Sequence, residues 1–195
     1  MNVKKPIVYF GRLAESKGVE LLIKAMYYIS LEYPNHACPL WIIGGNYQEI
    51  QLTKEIDSIR KIRSFLESRN LLFWWGQLPH EILPFILRKC TMFCFTSKYE
   101  PGGRTILEAM ASGLPVLASP QGIAKEVIKD GINGYIISKE SPKIWAQKIY
   151  LLLSDEQKVK EMGRAAKKTI IENFTMNQFY DKHWGIYEMF YPNIQ

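Results

Sequence analysis

Two glutamates stand eight positions apart in Glu100-Pro-Gly-Gly-Arg-Thr-Ile-Leu-Glu108, and a double glycine follows the first. Gly102 and Gly103 let the backbone approach a ligand closely and take positive φ. The residues after them read as a helix starting near Arg104. Its first amides, chiefly those of Arg104 and Thr105, have no intrahelical partner and make an anion site with the two glycines. Glu108 falls about one turn into that helix, where a carboxylate can accept hydrogen bonds from sugar hydroxyls. A diphosphate at the helix mouth, flanked by two acids that hold hydroxyls, describes a nucleotide-sugar.

The rest of the chain must place that loop. Short apolar runs alternate with stretches of helical spacing. Six strands are expected, at Ile7–Phe10, Leu40–Ile43, Leu71–Trp75, Met92–Phe95, Pro115–Ala118 and Gly134–Ile137. Helices are expected around Leu21–Ile29, from Gln48 to Ser68, from Pro79 to about Lys89, and in three closing stretches at Pro142–Leu153, Glu156–Glu172 and Met176–Phe190. Strands that read as continuous apolar runs imply a parallel sheet covered on both faces. The expected fold is therefore α/β, a Rossmann-like three-layer domain with about six parallel strands. Ligands of such sheets bind beyond the carboxyl ends of the strands. Gly11, Gly44, Gly45, Gly76, Gly102 and Gly103 all follow strands, so they should gather on that edge.

Composition sets the bounds. The 195 residues suit one α/β domain, and 47% hydrophobic residues can fill its core, which excludes a disordered chain. A net charge of +6 favours anionic partners, but the Lys and Arg are spread over helices rather than gathered in a block, so nucleic-acid binding ranks last. The three cysteines, Cys38, Cys90 and Cys94, are too few and too oddly spaced for a disulfide framework or the usual zinc pairs, and read as buried structural thiols. His36, His80 and His183 are scattered and suggest no metal site. No apolar run is long enough for a transmembrane helix and no signal peptide is evident. A cytoplasmic place is expected, with peripheral contact at the inner face of a membrane left open.

The Glu100–Glu108 segment resembles the E-x7-E motif of retaining glycosyltransferases with the GT-B fold. Phe10-Gly-Arg-Leu-Ala-Glu-Ser-Lys-Gly18, followed by Leu21-Leu-Ile-Lys-Ala25, looks like the family's glycine-arginine-lysine element, and Gly122 to Gly134 is similar to its loop after the fifth strand. The resemblance runs from about Ile7 to the C-terminus and covers only the donor-binding half of a GT-B enzyme. It implies that Arg12 and Lys17 meet the donor diphosphate beside Gly11, that Glu108 holds the ribose, and that Glu100 lies against the transferred sugar. Catalytic help would come from Arg12, Lys17 and Glu100. The strand and turn around Gln77 and Leu78 would pack about the base, and Gly44 with Asn46 would face the ligand. Glu126 would cap or orient the loop that begins at Gly122, or serve structure alone. This sequence departs from the commoner pattern in having glycine at position 102.

The resemblance further implies a metal-independent reaction with no cofactor, a nucleotide-sugar such as a UDP-sugar as donor substrate, and a role in cell-surface polysaccharide or glycoconjugate synthesis. The N-terminal acceptor domain is expected to lie outside this chain, leaving the isolated chain able to bind donor with little transfer. In the family, the last helix crosses to that domain; here residues 174–195 would do so, or fold back on their own domain. Two readings from other classes compete with this one. A non-catalytic nucleotide-sugar-binding subunit would bind donor without turnover. A dinucleotide-binding oxidoreductase lacks support, because Arg12 follows Gly11 where G-x-G-x-x-G would continue.

Overall fold

The structure is a computed structural model; it describes residues 4–45 and 57–190. Its centre is a six-stranded sheet, all parallel, in the order β3-β2-β1-β4-β5-β6. The strands are β1 (Ile7–Phe10), β2 (Leu40–Ile43), β3 (Leu72–Gly76), β4 (Met92–Phe95), β5 (Val116–Ala118) and β6 (Gly134–Ile136). The order reverses between β1 and β4, and a crevice opens at such a switch point above the carboxyl ends of the strands.

Alternation along each strand builds two cores. On one face Ile7, Tyr9, Leu40, Ile42, Met92, Cys94 and Leu117 meet Leu22, Met26 and Ile29 of α1 (Val19–Glu32) and Trp145 and Ile149 of α6 (Pro142–Leu153). On the other, Val8, Phe10, Phe93, Phe95, Val116 and Ala118 meet Ile106 and Met110 of α4 (Arg104–Ala111) and Ala166 and Ile170 of α7 (Glu156–Asn173). Each large aliphatic or aromatic side chain buried this way contributes about 1.5–3 kcal/mol relative to exposure. β1 and β4 are buried at every position, which is why they appear in the sequence as unbroken apolar runs.

Between β2 and β3 lies α2 (Asp57–Ser68); the part of the expected helix before Asp57 lies outside the described residues. The helix expected from Pro79 to Lys89 is instead a 3-10 turn, His80–Ile82, followed by the short α3 (Leu83–Leu87). Pro84 explains the difference, since it has no N–H and its ring would clash with the carbonyl four residues back in a continuous α-helix. α5 (Ala124–Val127) is a single turn.

α7 opens on Asp155, whose carboxylate accepts from the Lys158 amide at 2.8 Å. A reciprocal box starts α8 (Met176–Phe190): the Gln178 side-chain oxygen accepts from the Thr175 amide at 2.9 Å, and the Thr175 hydroxyl accepts from the Gln178 amide at 3.3 Å. Among the described residues, α8 keeps a row of large apolar side chains on the surface. Met176, Phe179, Tyr180, Trp184, Tyr187 and Phe190 are all exposed. No helix among the described residues is long and apolar enough to cross a membrane.

Candidate functional site

The loop after β1 is shaped by its glycines and tied to the loop after β4. Gly11 has φ 145°, and the Tyr9 hydroxyl donates to the Arg12 carbonyl at 2.7 Å, which fixes the backbone under the exposed Arg12 side chain. Burial pushes the Tyr9 phenol well above its usual range, the Glu100 charge adds to this, and Arg12 partly offsets it; Tyr9 therefore stays a neutral donor. A 3-10 turn, Glu15–Lys17, then ends at Gly18 with φ 63°. A Cβ on Gly18 would lie 2.2 Å from the Thr96 carbonyl oxygen, so only glycine allows the two loops to close. The closure is hydrogen-bonded: the Thr96 hydroxyl donates to the Lys17 carbonyl at 2.9 Å, and the Lys98 amide donates to the Ser16 carbonyl at 2.7 Å.

That clamp directs Lys17 inward. Its side chain is buried, and its ammonium donates to Glu100 Oε2 at 2.5 Å. The other carboxylate oxygen, Oε1, accepts from the Gly102 amide at 3.2 Å. Burial pushes the Glu100 carboxyl up, but the hydrogen bond from Lys17, the Gly102 amide and the Lys17 charge together hold it below its usual value. Glu100 is ionised at neutral pH and tied at both oxygens.

The turn that follows is pinned from the opposite side. The Ile123 amide donates to the Gly102 carbonyl at 2.8 Å, and a Cβ on Gly122 would lie 2.3 Å from that same carbonyl. Gly103, with φ 100°, is the N-terminal cap of α4 and supplies no side chain to it, so the first amides of α4 open toward the crevice. Glu108 stands one turn in and is half-buried. Burial raises its carboxyl above the usual value, partly offset by the charges of His80 and Arg104.

The neighbouring loops complete the edge. The Gly44 amide donates to the Gly76 carbonyl at 2.7 Å, which joins the ends of β2 and β3. Gln77 is exposed beyond Gly76, and Leu78 is half-buried against the core that also holds Ile106. Gly11, Arg12, Lys17, Gly44, Gln77, Leu78, Glu100, Gly102, Gly103, Arg104, Thr105 and Glu108 thus all sit on strand ends, loops or the helix mouth at the carboxyl edge of one sheet. Asn46 lies outside the described residues.

Two features were not read from the sequence. Lys17 and Glu100 are ion-paired with each other, and Tyr9 braces the Arg12 backbone. Both join residues through tertiary packing, and no local pattern announces them.

Beyond its contact with the Gly102 turn, the Gly122–Gly134 element is held by internal hydrogen bonds. Asn133 is fully buried; its carbonyl oxygen accepts from the Lys129 amide at 2.8 Å, and its amide nitrogen donates to the Val127 carbonyl at 2.9 Å and the Thr169 hydroxyl at 3.0 Å. Asp130 accepts from the Ile136 amide at 2.8 Å, and Glu126 is exposed on α5. All three cysteines are free and buried, and burial pushes Cys38 and Cys90 up to about 12. Among the described residues no group of three or more His, Cys, Asp or Glu could hold a metal ion.

Comparison with known proteins agrees with this geometry. Residues 2–169 match the family described as Glycosyl transferases group 1. Spore coat protein SA of Bacillus subtilis is 29% identical over 190 residues, covering 96% of this chain and 50% of its own length. HepE from Anabaena, solved in complex with UDP and glucose, superposes with a TM-score of 0.81 at 22% identity over 96% of this chain and 49% of that one. The C-terminal domain of the group 1 glycosyl transferase LpcC from Francisella tularensis superposes with a TM-score of 0.74 at 23% identity, covering 89% of this chain and 87% of that domain. The chain spans about half the length of the curated relatives it matches. With a six-stranded parallel Rossmann-like sheet of the GT-B type and this family match over nearly its whole length, the chain belongs to the group 1 glycosyl transferases.

Proposed function

We propose that this chain is the donor-binding half of a retaining glycosyltransferase, which moves a sugar from a nucleoside diphosphate sugar to an acceptor and releases the diphosphate. The observation that carries the reading is the buried Lys17 ammonium, set at 2.5 Å from Glu100 beside the uncapped mouth of α4, with Glu108 one turn behind. Lys17 and Arg12 meet the phosphate oxygens, and the amides of Gly103, Arg104 and Thr105 add fixed dipoles. As the bond to the sugar breaks, negative charge grows on the diphosphate, and these groups stabilise it without metal or cofactor. Glu108 holds the ribose hydroxyls, Glu100 faces the sugar, and the loop from Gly76 to Leu78 flanks the base. A UDP-sugar is the donor, in line with the UDP and glucose bound by HepE on a fold of this shape.

The acceptor half is a second domain, consistent with relatives about twice this length. The apolar face of α8 is the surface it covers. The acceptor belongs to cell-surface polysaccharide or glycoconjugate synthesis on the cytoplasmic side of a membrane.

Calorimetric titration of the chain with UDP, ADP and GDP tests this reading. Saturable binding of UDP, weakened at least tenfold in Glu108→Ala, on the order of the loss of one charged hydrogen-bond partner, is expected. Absence of binding to all three would refute it.

A further inference from the structure

The Glu100 carboxylate occupies the groups that an incoming diphosphate needs. One oxygen takes the Lys17 ammonium at 2.5 Å, and the other takes the Gly102 amide at 3.2 Å. The carboxylate lies at the mouth of α4, where the dipole of an eight-residue helix favours negative charge. It therefore imitates a phosphate in charge, in its donors and in its place.

The energetics explain why some anion must stand there. Lys17 is 8% exposed and its backbone carbonyl accepts from the Thr96 hydroxyl, so its ammonium is held within the fold rather than in solvent. A buried ammonium without a counter-ion is strongly unfavourable. A diphosphate brought in beside an ionised Glu100 would meet the repulsion of a fixed like charge at close range. Both conditions are met if one anion leaves Lys17 as the other arrives.

We propose that Glu100 stands in for the donor's diphosphate in the free chain, and that donor binding is an exchange of anions on Lys17 and the Gly102 amide. The carboxylate released by the exchange is then free to turn toward the sugar. The inference rests on the donor-binding reading above and adds a competitor built into the site. A residue that only touches the sugar would leave the affinity for UDP unchanged when neutralised. A residue that only orients Lys17 would weaken it. An internal competitor makes it stronger.

UDP is titrated calorimetrically into the wild-type chain, Glu100→Gln, Lys17→Met and the double variant, with thermal melts to confirm folding. Glu100→Gln is expected to bind UDP about tenfold more tightly, the size of one charge-assisted hydrogen bond relieved of competition. The gain is expected to vanish in the Lys17→Met background. A measurement on the wild type needs no variant: the resonance of the Glu100 carboxyl carbon should move as UDP is added, because the carboxylate loses its ammonium partner. If the wild type binds UDP while Glu100→Gln binds equally or less tightly, or the resonance stays fixed at saturation, the exchange is overturned and the donor site stands. If neither wild type nor Glu100→Gln binds UDP, the donor-binding reading falls and the exchange falls with it.

Discussion

Gly44 passes so close to Gly11 that a Cβ on Gly44 would lie 2.1 Å from the Gly11 carbonyl oxygen. The loops after β1 and β2 are therefore in backbone contact, with no room for a side chain at that crossing. Gly44 also sits at φ 117°. Alanine there combines a strained backbone with a clash against main chain, and should destabilise the fold by about 2–5 kcal/mol. Gly113 is the control: it has φ 83° but open space around it, so alanine should cost only about 1–2 kcal/mol. Denaturant melts of the two variants check the difference, and equal losses would mean that the close approach is unimportant.

Glu108 should show a trade of stability against binding. Its carboxyl is raised in the folded chain, so between its unfolded and folded values the native state holds more protons and stability falls as pH rises. Above the folded value the whole penalty is present. Glu108→Gln should therefore raise the melting temperature at neutral pH, with the advantage shrinking as pH falls to about 4, the ordinary carboxylate value. The same variant should bind UDP less well. Melts across pH, paired with calorimetry, test both halves; a variant less stable than wild type at pH 7 would contradict the sign.

Asn133→Ala should harm the fold and spare the site. The change leaves the Lys129 amide and the Val127 carbonyl without their side-chain partner in the interior, at a cost of about 2–4 kcal/mol. The affinity for UDP, measured well below the melting temperature, should stay within about twofold, since surviving folded molecules keep the same crevice. A large loss of affinity at full folding would give Asn133 a role in the site.

The chain alone should self-associate through α8. Met189 and Phe190 are 83% and 74% exposed, and with Phe179 and Tyr187 they present more apolar surface than one helix ordinarily leaves in water. Replacing Phe179, Tyr187 and Phe190 by serine should give a monomer by sedimentation. Thermal stability should change by no more than about 0.5 kcal/mol, because these side chains are exposed. Unchanged sedimentation would remove α8 from the contact.

The six strands were legible because a parallel sheet covered on both sides buries every residue of its central strands, and β1 and β4 appear as four-residue apolar runs. The site's edge was legible because the turns that leave those strands use glycine. Two kinds of feature were not. Pro84 falls inside a stretch of helical spacing, and periodicity gave it too little weight. Contacts such as Gly18 on Thr96, or Gly122 on Gly102, depend on how two loops approach in space, and each glycine alone reads only as a turn. The motif around Asn133 carries as much sequence signal as the one around Glu100, yet it builds a buried hydrogen-bonded turn; spacing alone does not separate framework from ligand contact.

Lys17 and Glu100 are separated by 83 residues, and what brings them together is the pairing of β1 with β4 across the middle of the sheet. That pairing closes a long loop and belongs to the slower events of folding. A chain in which β1 and β4 have not yet paired holds Lys17 without its counter-ion and apart from the helix mouth. On the proposed donor-binding reading, nucleotide can engage Lys17 only after β1 and β4 have paired, which would make its binding a reporter of that central crossover.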